Sequence, residues 1–200
     1  MKILCSTGAL VGRPNGRDFR LFQRYVPLLD CDGIEFILYD SWYPETEAIT
    51  EVLKSLHKDI PVFHCEKTLA EHISRGGKEE TEEGFRKFRV NCAMAAELGA
   101  EKMVLHLWNG VISDDHFENN LEAFGDLRRI AEEYGLDLLV ENVVCHRDPM
   151  SHWAELRDRY PDIHFVFDTK MADFQSQSYR GWYRRSICRW KSAILVSKTK

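Results

Sequence analysis

The chain has 200 residues, a formal net charge of −5 and 44% hydrophobic residues. This length suits one domain with a sizeable core, and the acidic balance offers no basic surface for nucleic acid. No apolar run approaches the roughly 18 residues of a membrane span. The six cysteines form no C-x-x-C pair, and the start of the chain is not typical of a signal peptide, so the sequence predicts reduced thiols and a cytoplasmic protein.

Short apolar segments alternate along the chain with stretches of helical spacing. The predicted strands, in chain order, lie in KILCS, DGIEFILY, IPVFHC, KMVLHL, LDLLVEN and IHFVFD. Helices are predicted within the segments 15–30, 45–58, 79–100, 113–135 and 149–159. The fourth of these begins at Ser113 as N-cap, and Gly99 and Gly135 end two of them. Such repeated alternation predicts an α/β protein with a parallel sheet.

Four successive predicted strands carry the same polar pattern at their C-terminal ends. Two residues after an inward aliphatic side chain comes His64, His106, Glu141 or Asp168, and Glu35 in DGIEF is a variant of the pattern. Residues two apart share a face of a strand. In a closed barrel, every strand can place an inward polar side chain at its C-terminal end, because the active site is built there. An open doubly wound sheet does not need a polar residue at that position of every strand. The sequence therefore predicts a (β/α) barrel with one shared site.

Each of these residues also has a simpler interpretation. A single histidine is more often a core or surface residue, and Glu141 alone could be a structural carboxylate paired with Lys or Arg. Taken together, the imidazoles and carboxylates suit a divalent metal such as Mn, Co, Zn or Mg. The other six histidines lack the strand-end placement and are predicted to be surface or loop residues: His57, His72, His116, His146, His152 and His164.

Several of these segments together resemble a known superfamily. DGIEF, VFHCEKT, AAELGAEKMVLHLWNG, LLVENVV and FVFDTKMADF are similar to successive strand ends of the xylose isomerase-like TIM-barrel superfamily, over about residues 2–175. That superfamily contains sugar isomerases and epimerases and the endonuclease IV group of apurinic-site nucleases. The resemblance implies a TIM barrel of this type and a metal-dependent isomerase or epimerase of a small sugar, sugar phosphate or polyol.

The resemblance also implies roles for individual residues. It makes Glu141 and Asp168 metal ligands and catalytic residues, with Glu141 also in proton transfer and His106 as a further catalytic group. His64 and His106 fall where the nuclease members place zinc ligands, whereas in many isomerases these positions contact substrate. The nuclease pattern expects a histidine three residues after Asp168, where this chain has Met171. A nuclease is therefore the less favoured alternative.

The remaining predicted contacts surround this site. His64, Glu35, Trp108 and Lys170 are predicted to bind substrate. Trp108 could equally pack under a loop, and an exposed lysine such as Lys170 is more often only solvated. Cys65 and Cys145 fall near the predicted site, but no Cys–His pairing follows from the sequence.

The end of the chain departs from the pattern. Residues 179–200 contain seven basic residues and no acid, and a complete barrel typically needs about 250 residues. Six strand–helix units of eight are clear, with at best a seventh strand in SAILVS. The sequence predicts a partial barrel over 1–178 and an atypical basic tail over 179–200. The tail is either a genuine extension or the product of a shifted reading frame or a truncated gene, and the barrel is then truncated at its C-terminus. An open barrel edge favours a homo-oligomer that covers it. The alternative to an enzyme is a non-catalytic remnant of the barrel.

Overall fold

The computed structural model of the chain describes residues 2–174 and 193–196. Its seven strands are β1 (Leu4–Ser6), β2 (Gly33–Ile37), β3 (Val62–His64), β4 (Lys102–Leu105), β5 (Asp137–Glu141), β6 (His164–Asp168) and β7 (Ala193–Val196). They form one sheet in the order β1-β2-β3-β4-β5-β6-β7, and every neighbouring pair is parallel. Parallel strands in sequence order, joined by helices, form the wall of a TIM barrel. The predicted partial barrel is confirmed.

Helices connect the strands on one side of the sheet. They are α1 (Phe22–Tyr25), α2 (Thr46–Ser55), α3 (Leu69–Ser74), α4 (Lys78–Glu97), α5 (Val111–Asp115), α6 (Phe117–Glu133), α7 (Pro149–Arg159) and α8 (Thr169–Phe174). Gly99 and Gly135 follow α4 and α6 with φ of 74° and 72°, a left-handed conformation that favours glycine as a helix stop. None of the helices in the described ranges has the length and apolar character needed to cross a bilayer.

Two predicted helices are broken in the structure. The segment 15–30 contains short 3₁₀ turns around the four-residue α1. Gly16 and Arg17 have positive φ angles of 66° and 55°, which no helix accommodates, and Pro27 has no N–H to continue α1. The predicted helix over 113–135 is divided at His116, whose φ of −122° is not helical. Ser113 lies inside α5 and caps nothing.

The two faces of the sheet pack differently. Outward residues such as Phe63, Met103 and Leu105 join a large apolar core with the helices. The inward residues form a separate small cluster of four buried aliphatic side chains, Val62, Val104, Leu139 and Val166, with Leu4 packed against it. These four are the residues that precede His64, His106, Glu141 and Asp168 by two positions, so the inward phase predicted for four strands is confirmed.

The basic tail predicted over 179–200 lies outside the described residues except for β7. β7 falls within SAILVS and pairs with β6 from Phe165↔Ala193 to Asp168↔Val196. A seventh parallel strand therefore continues the barrel wall beyond the six that were clear from the sequence. The domain boundary predicted at residue 178 also falls outside the described residues.

Candidate metal centre at the strand ends

The register of the sheet brings polar side chains from three strands to one place. His64 is the last residue of β3 and lies opposite Val104 of β4. Leu105 lies opposite Val140, so the next residues, His106 and Glu141, leave their strands side by side. Because the strands are parallel, these positions share the C-terminal end of the barrel, where TIM-barrel active sites lie.

Glu141 is the centre of this cluster. Its Oε2 atom lies 3.0 Å from His64 Nε2 and 2.7 Å from His106 Nε2. The imidazole rings meet edge to face, with centroids 4.8 Å apart. One donor atom from each of the three residues lies within 4.8 Å of the others, and each side chain is at most 4% exposed. The structure thus brings together three of the four predicted strand-end residues in a buried N, N, O donor group.

Both ring nitrogens of His64 face hydrogen-bond acceptors. Its Nδ1 lies 2.8 Å from the carbonyl oxygen of Cys65, and its Nε2 faces the carboxylate of Glu141. Both partners are acceptors, whereas a neutral imidazole has only one N–H to donate. If Nδ1–H donates to Cys65, the lone pair of Nε2 points at Glu141 Oε2. A proton or a cation between His64 and Glu141 would resolve this conflict.

The protonation states of the other two residues follow from their surroundings. Burial raises the pKa of the Glu141 carboxyl, but attraction to His106 and hydrogen bonds from both imidazoles outweigh it, and the pKa lies well below its usual range. Burial lowers the pKa of His106 to about 4, despite the nearby carboxylate. Glu141 is therefore ionised and His106 neutral at pH 7, with its Nε2–H donated to Glu141. The Nδ1 atom of His106 is buried and has no hydrogen-bond partner among the described residues.

Asp168 is held beside this cluster and does not belong to the three-residue donor group. Its backbone N–H donates to Asn142 Oδ1 at 2.6 Å, and Asn142 Nδ2 donates to its carbonyl oxygen at 3.0 Å. Its carboxylate Oδ1 accepts the backbone N–H groups of Lys170 and Met171. Asn142, the residue after Glu141, therefore ties the end of β5 to the end of β6, and its amide was not singled out from the sequence.

The other predicted substrate residues lie in different environments. Glu35 pairs in register with Val62, whereas His64 pairs with Ile37 two positions later, so Glu35 lies deeper in the barrel than His64. It is buried, and its Oε2 has no partner among the described residues. Trp108 is fully buried, and its Nε1–H donates to the carbonyl oxygen of Val143 at 2.7 Å, which is packing under a loop. The Lys170 side chain is exposed. Substrate contacts by these residues stay predictions.

A second buried polar cluster was missed by the sequence analysis. Asp114, Cys145 and His152 bring three donor atoms within 4.8 Å of one another. The prediction of a surface or loop position for His152 was wrong, since the residue is fully buried in α7. These residues come from α5, from the segment after β5 and from α7, and they follow no shared sequence pattern. Only the folded chain brings them together.

Known proteins resemble this chain in structure. No protein-family model matches the chain, and no curated protein matches its sequence. The 3-keto-D-glucoside 4-epimerase of E. coli superposes with a TM-score of 0.67 at 12% identity, over 98% of this chain and 79% of that one. The D-allulose 3-epimerase of Methylomonas sp. has a TM-score of 0.69 at 14% identity, over 98% and 72%. A xylose isomerase domain protein of Planctomyces limnophilus has a TM-score of 0.61 at 13% identity, over 95% and 71%. At these identities the likeness is one of fold, and it confirms the predicted barrel fold.

Proposed function

We propose that this chain, which has the fold of xylose isomerase-like proteins, is a divalent-metal-dependent isomerase or epimerase of a small sugar or sugar phosphate. One observation carries the proposal. An ionised, buried Glu141 lies between two imidazoles at the C-terminal strand ends, in a barrel whose structural neighbours include sugar epimerases. Buried carboxylates are costly unless they are paired or bind a cation.

The residues at the strand ends suit a divalent cation. Imidazole and carboxylate donors together are typical of Zn, Mn and Co sites, and His64 Nε2 lies 3.0 Å from the carboxylate of Glu141. Glu141 is the central ligand in this proposal, with Asp168 as the second predicted one. His64 and His106 are either further ligands or contacts to substrate. A bound ion would polarise adjacent oxygens of the sugar.

The chain's own residues supply the proton chemistry. Glu141 is ionised, so it can accept a proton from the carbon beside the sugar carbonyl and return it. His106 is neutral and fixes the carboxylate through its Nε2–H at 2.7 Å. Asn142 holds the end of β6, and thus Asp168, at a fixed position relative to Glu141. Burial of these groups keeps bulk water from the carboxylate and its hydrogen-bond partners.

The proposal is tested by hydrogen exchange at the sugar carbon. The chain, with Mn²⁺ or Co²⁺, is incubated in D₂O with a panel of ketoses, aldoses and their phosphates, and deuterium incorporation is followed by NMR. We expect exchange with at least one sugar, and a loss of about 10²–10⁴-fold in Glu141→Gln, the usual contribution of a general base. Glu97→Gln is the matched control, because Glu97 is an exposed residue paired with Lys54. No exchange with any sugar in the presence of bound metal would overturn the proposal.

A second candidate is a chain that binds metal without catalysis. The observation that favours it is the position of Asp168, whose carboxylate caps α8 and stays outside the group of His64, His106 and Glu141. Metal binding without exchange in the same experiment would support this candidate. A nuclease is the third, since an N, N, O donor set also suits zinc, and cleavage of DNA at an abasic site would reveal it.

The finer properties remain predictions of the proposal. The substrate is expected to be a small sugar or polyol, the location the cytoplasm, and nucleic acid and membranes are not expected partners. β1 and β7 are the two end strands of the described sheet, and a homo-oligomer that covers such an edge stays a prediction.

A further inference from the structure

Asp114, Cys145 and His152 form a compact group of three different donors. The three residues are 4%, 6% and 0% exposed, and one donor atom of each lies within 4.8 Å of the other two. Asp114 Oδ1 contacts His152 Nε2 directly. Thiolate, imidazole and carboxylate are the side chains that bind zinc in proteins. A chance meeting of these residue types in an apolar layer is costly, because each polar atom must be paired there.

Neighbouring groups already orient two of the three side chains. Asp114 Oδ2 accepts the backbone N–H of Arg147 at 2.7 Å. The other oxygen of the carboxylate, Oδ1, contacts His152 Nε2, so both oxygens of Asp114 have a partner. The His152 ring packs against Phe117 and Trp108, with centroids 3.9 Å and 4.9 Å away. Such supporting contacts around ligands are typical of metal sites.

The histidine supplies a further observation. His152 Nδ1 is buried and has no hydrogen-bond partner among the described residues, although the residue is fully enclosed. In a purely structural Asp–His pair, the second ring nitrogen normally finds an acceptor or donor. The pair with Asp114 therefore does not account for all the polar groups of His152. A cation held by the three donors would add a favourable interaction that offsets the cost of enclosing them.

We propose that Asp114, Cys145 and His152 form a zinc site, separate from the cluster of His64, His106 and Glu141 and independent of the proposed catalytic function. The site joins α5, the segment after β5 and α7. Two of these follow the strand ends that carry His106 and Glu141, so the ion ties together the segments beside the barrel mouth. Its role is structural, and its fourth ligand is water or an added small anion.

Cobalt spectroscopy tests the site in the full-length chain. Co²⁺ is added to the metal-free protein, and a thiolate-to-cobalt charge-transfer band in the near ultraviolet is sought. The strand-end cluster holds no thiol, so the band reports Cys145. We expect the band in the wild type and in Glu141→Gln, and its loss in Cys145→Ser. Cys31→Ser, at a half-buried thiol elsewhere, is the matched control and should keep the band.

Zinc binding completes the test. Competition with a chromophoric chelator should show one fewer ion bound by Cys145→Ser than by the wild type. The affinity lost should exceed the roughly 10–100-fold that removal of an outer-shell partner costs. Absence of the band in the wild type, or a Cys145→Ser variant that binds as much zinc as the wild type, would overturn the proposal. The first outcome needs no variant, so a misfolded mutant cannot obscure it.

Discussion

The outer and inner faces of the sheet differ in what they bury. On β4, Met103 and Leu105 point outward into the large core shared with the helices, while Val104 points inward to the small aliphatic cluster. Two residues after Val104, the inward position is His106, which contacts the carboxylate of Glu141. The outer face gains apolar burial at each position, whereas the inner face gives up apolar contact near the strand ends to hold a charged group. Stability and chemistry are thus assigned to opposite faces of the same strands.

Two matched leucine-to-alanine substitutions, one on each face of the sheet, should give the largest effect that distinguishes the outer from the inner face. Leu105→Ala removes a fully buried outward side chain, and Leu139→Ala removes an inward one that is 2% exposed. Buried Leu→Ala substitutions cost roughly 2–5 kcal/mol. We expect Leu105→Ala near the upper end and Leu139→Ala near the lower end, because Leu139 has fewer apolar neighbours and a polar layer above it. The free energy of unfolding in urea measures both.

Equal costs for the two leucines would contradict the comparison. It would mean that the inner cluster contributes to stability as much as the outer core does. A larger cost for Leu139→Ala would reverse the assignment of the faces.

The polar bridge between β5 and β6 offers an intermediate effect. Asn142→Ala removes both bonds to the backbone of Asp168, at 2.6 Å and 3.0 Å. A buried donor or acceptor that loses its partner costs about 1–3 kcal/mol, so the free energy of unfolding should fall by that amount. Metal affinity should fall as well if Asp168 is a ligand, since its position is no longer fixed. Asn119→Ala is a matched control, because it removes a single bond to Ser74 far from the strand ends. A loss of stability no greater than that of the control would argue against the bridge.

Ionisation of Cys92 at alkaline pH tests the large core between the sheet and the helices, to which this residue belongs. Burial raises the pKa of the Cys92 thiol to about 12. An unperturbed thiol has a pKa of about 8.5. The pKa of Cys92 is higher in the folded chain than in the unfolded chain. The stabilisation that the neutral, buried thiol contributes is therefore fully present below about pH 8.5 and is lost as the pH rises above it. Between pH 8 and pH 10, the wild type should lose about 1–2 kcal/mol more than Cys92→Ala. Urea unfolding of both proteins at pH 8 and pH 10 measures how the free energy of unfolding changes with pH. The difference in free energy of unfolding between the two proteins at pH 7 gives the cost of the lost packing alone. If the free energies of unfolding of the wild type and Cys92→Ala changed equally with pH, water would reach the thiol in the folded protein.

The sequence predicted the sheet and its inward phase because period-two alternation and apolar runs are local properties. His64, His106 and Glu141 could be placed together for the same reason, since parallel strands end at one side. The second cluster could not be predicted, because Asp114, Cys145 and His152 come from helices and a loop whose packing depends on the whole chain. In the segment 15–30 the buried stripe was predicted correctly, since Phe19, Phe22 and Val26 are buried. The backbone that carries them is nevertheless divided into short turns instead of one helix. Periodicity predicts the buried face better than the backbone conformation.

The most direct test of the central claim, that Glu141 is there to hold a metal ion, is a calorimetric titration with Mn²⁺. Cys145→Ser serves as the background, so that the second cluster does not contribute, and Glu141→Gln is added to it. Glutamine has the size of glutamate and keeps an oxygen that can accept the Nε2–H of His106, so the side chain still fits the cluster. We expect one bound ion in the background chain, none after Glu141→Gln, and melting temperatures that differ little without metal. Unchanged Mn²⁺ binding with a clearly lowered melting temperature would show that Glu141 is a structural residue.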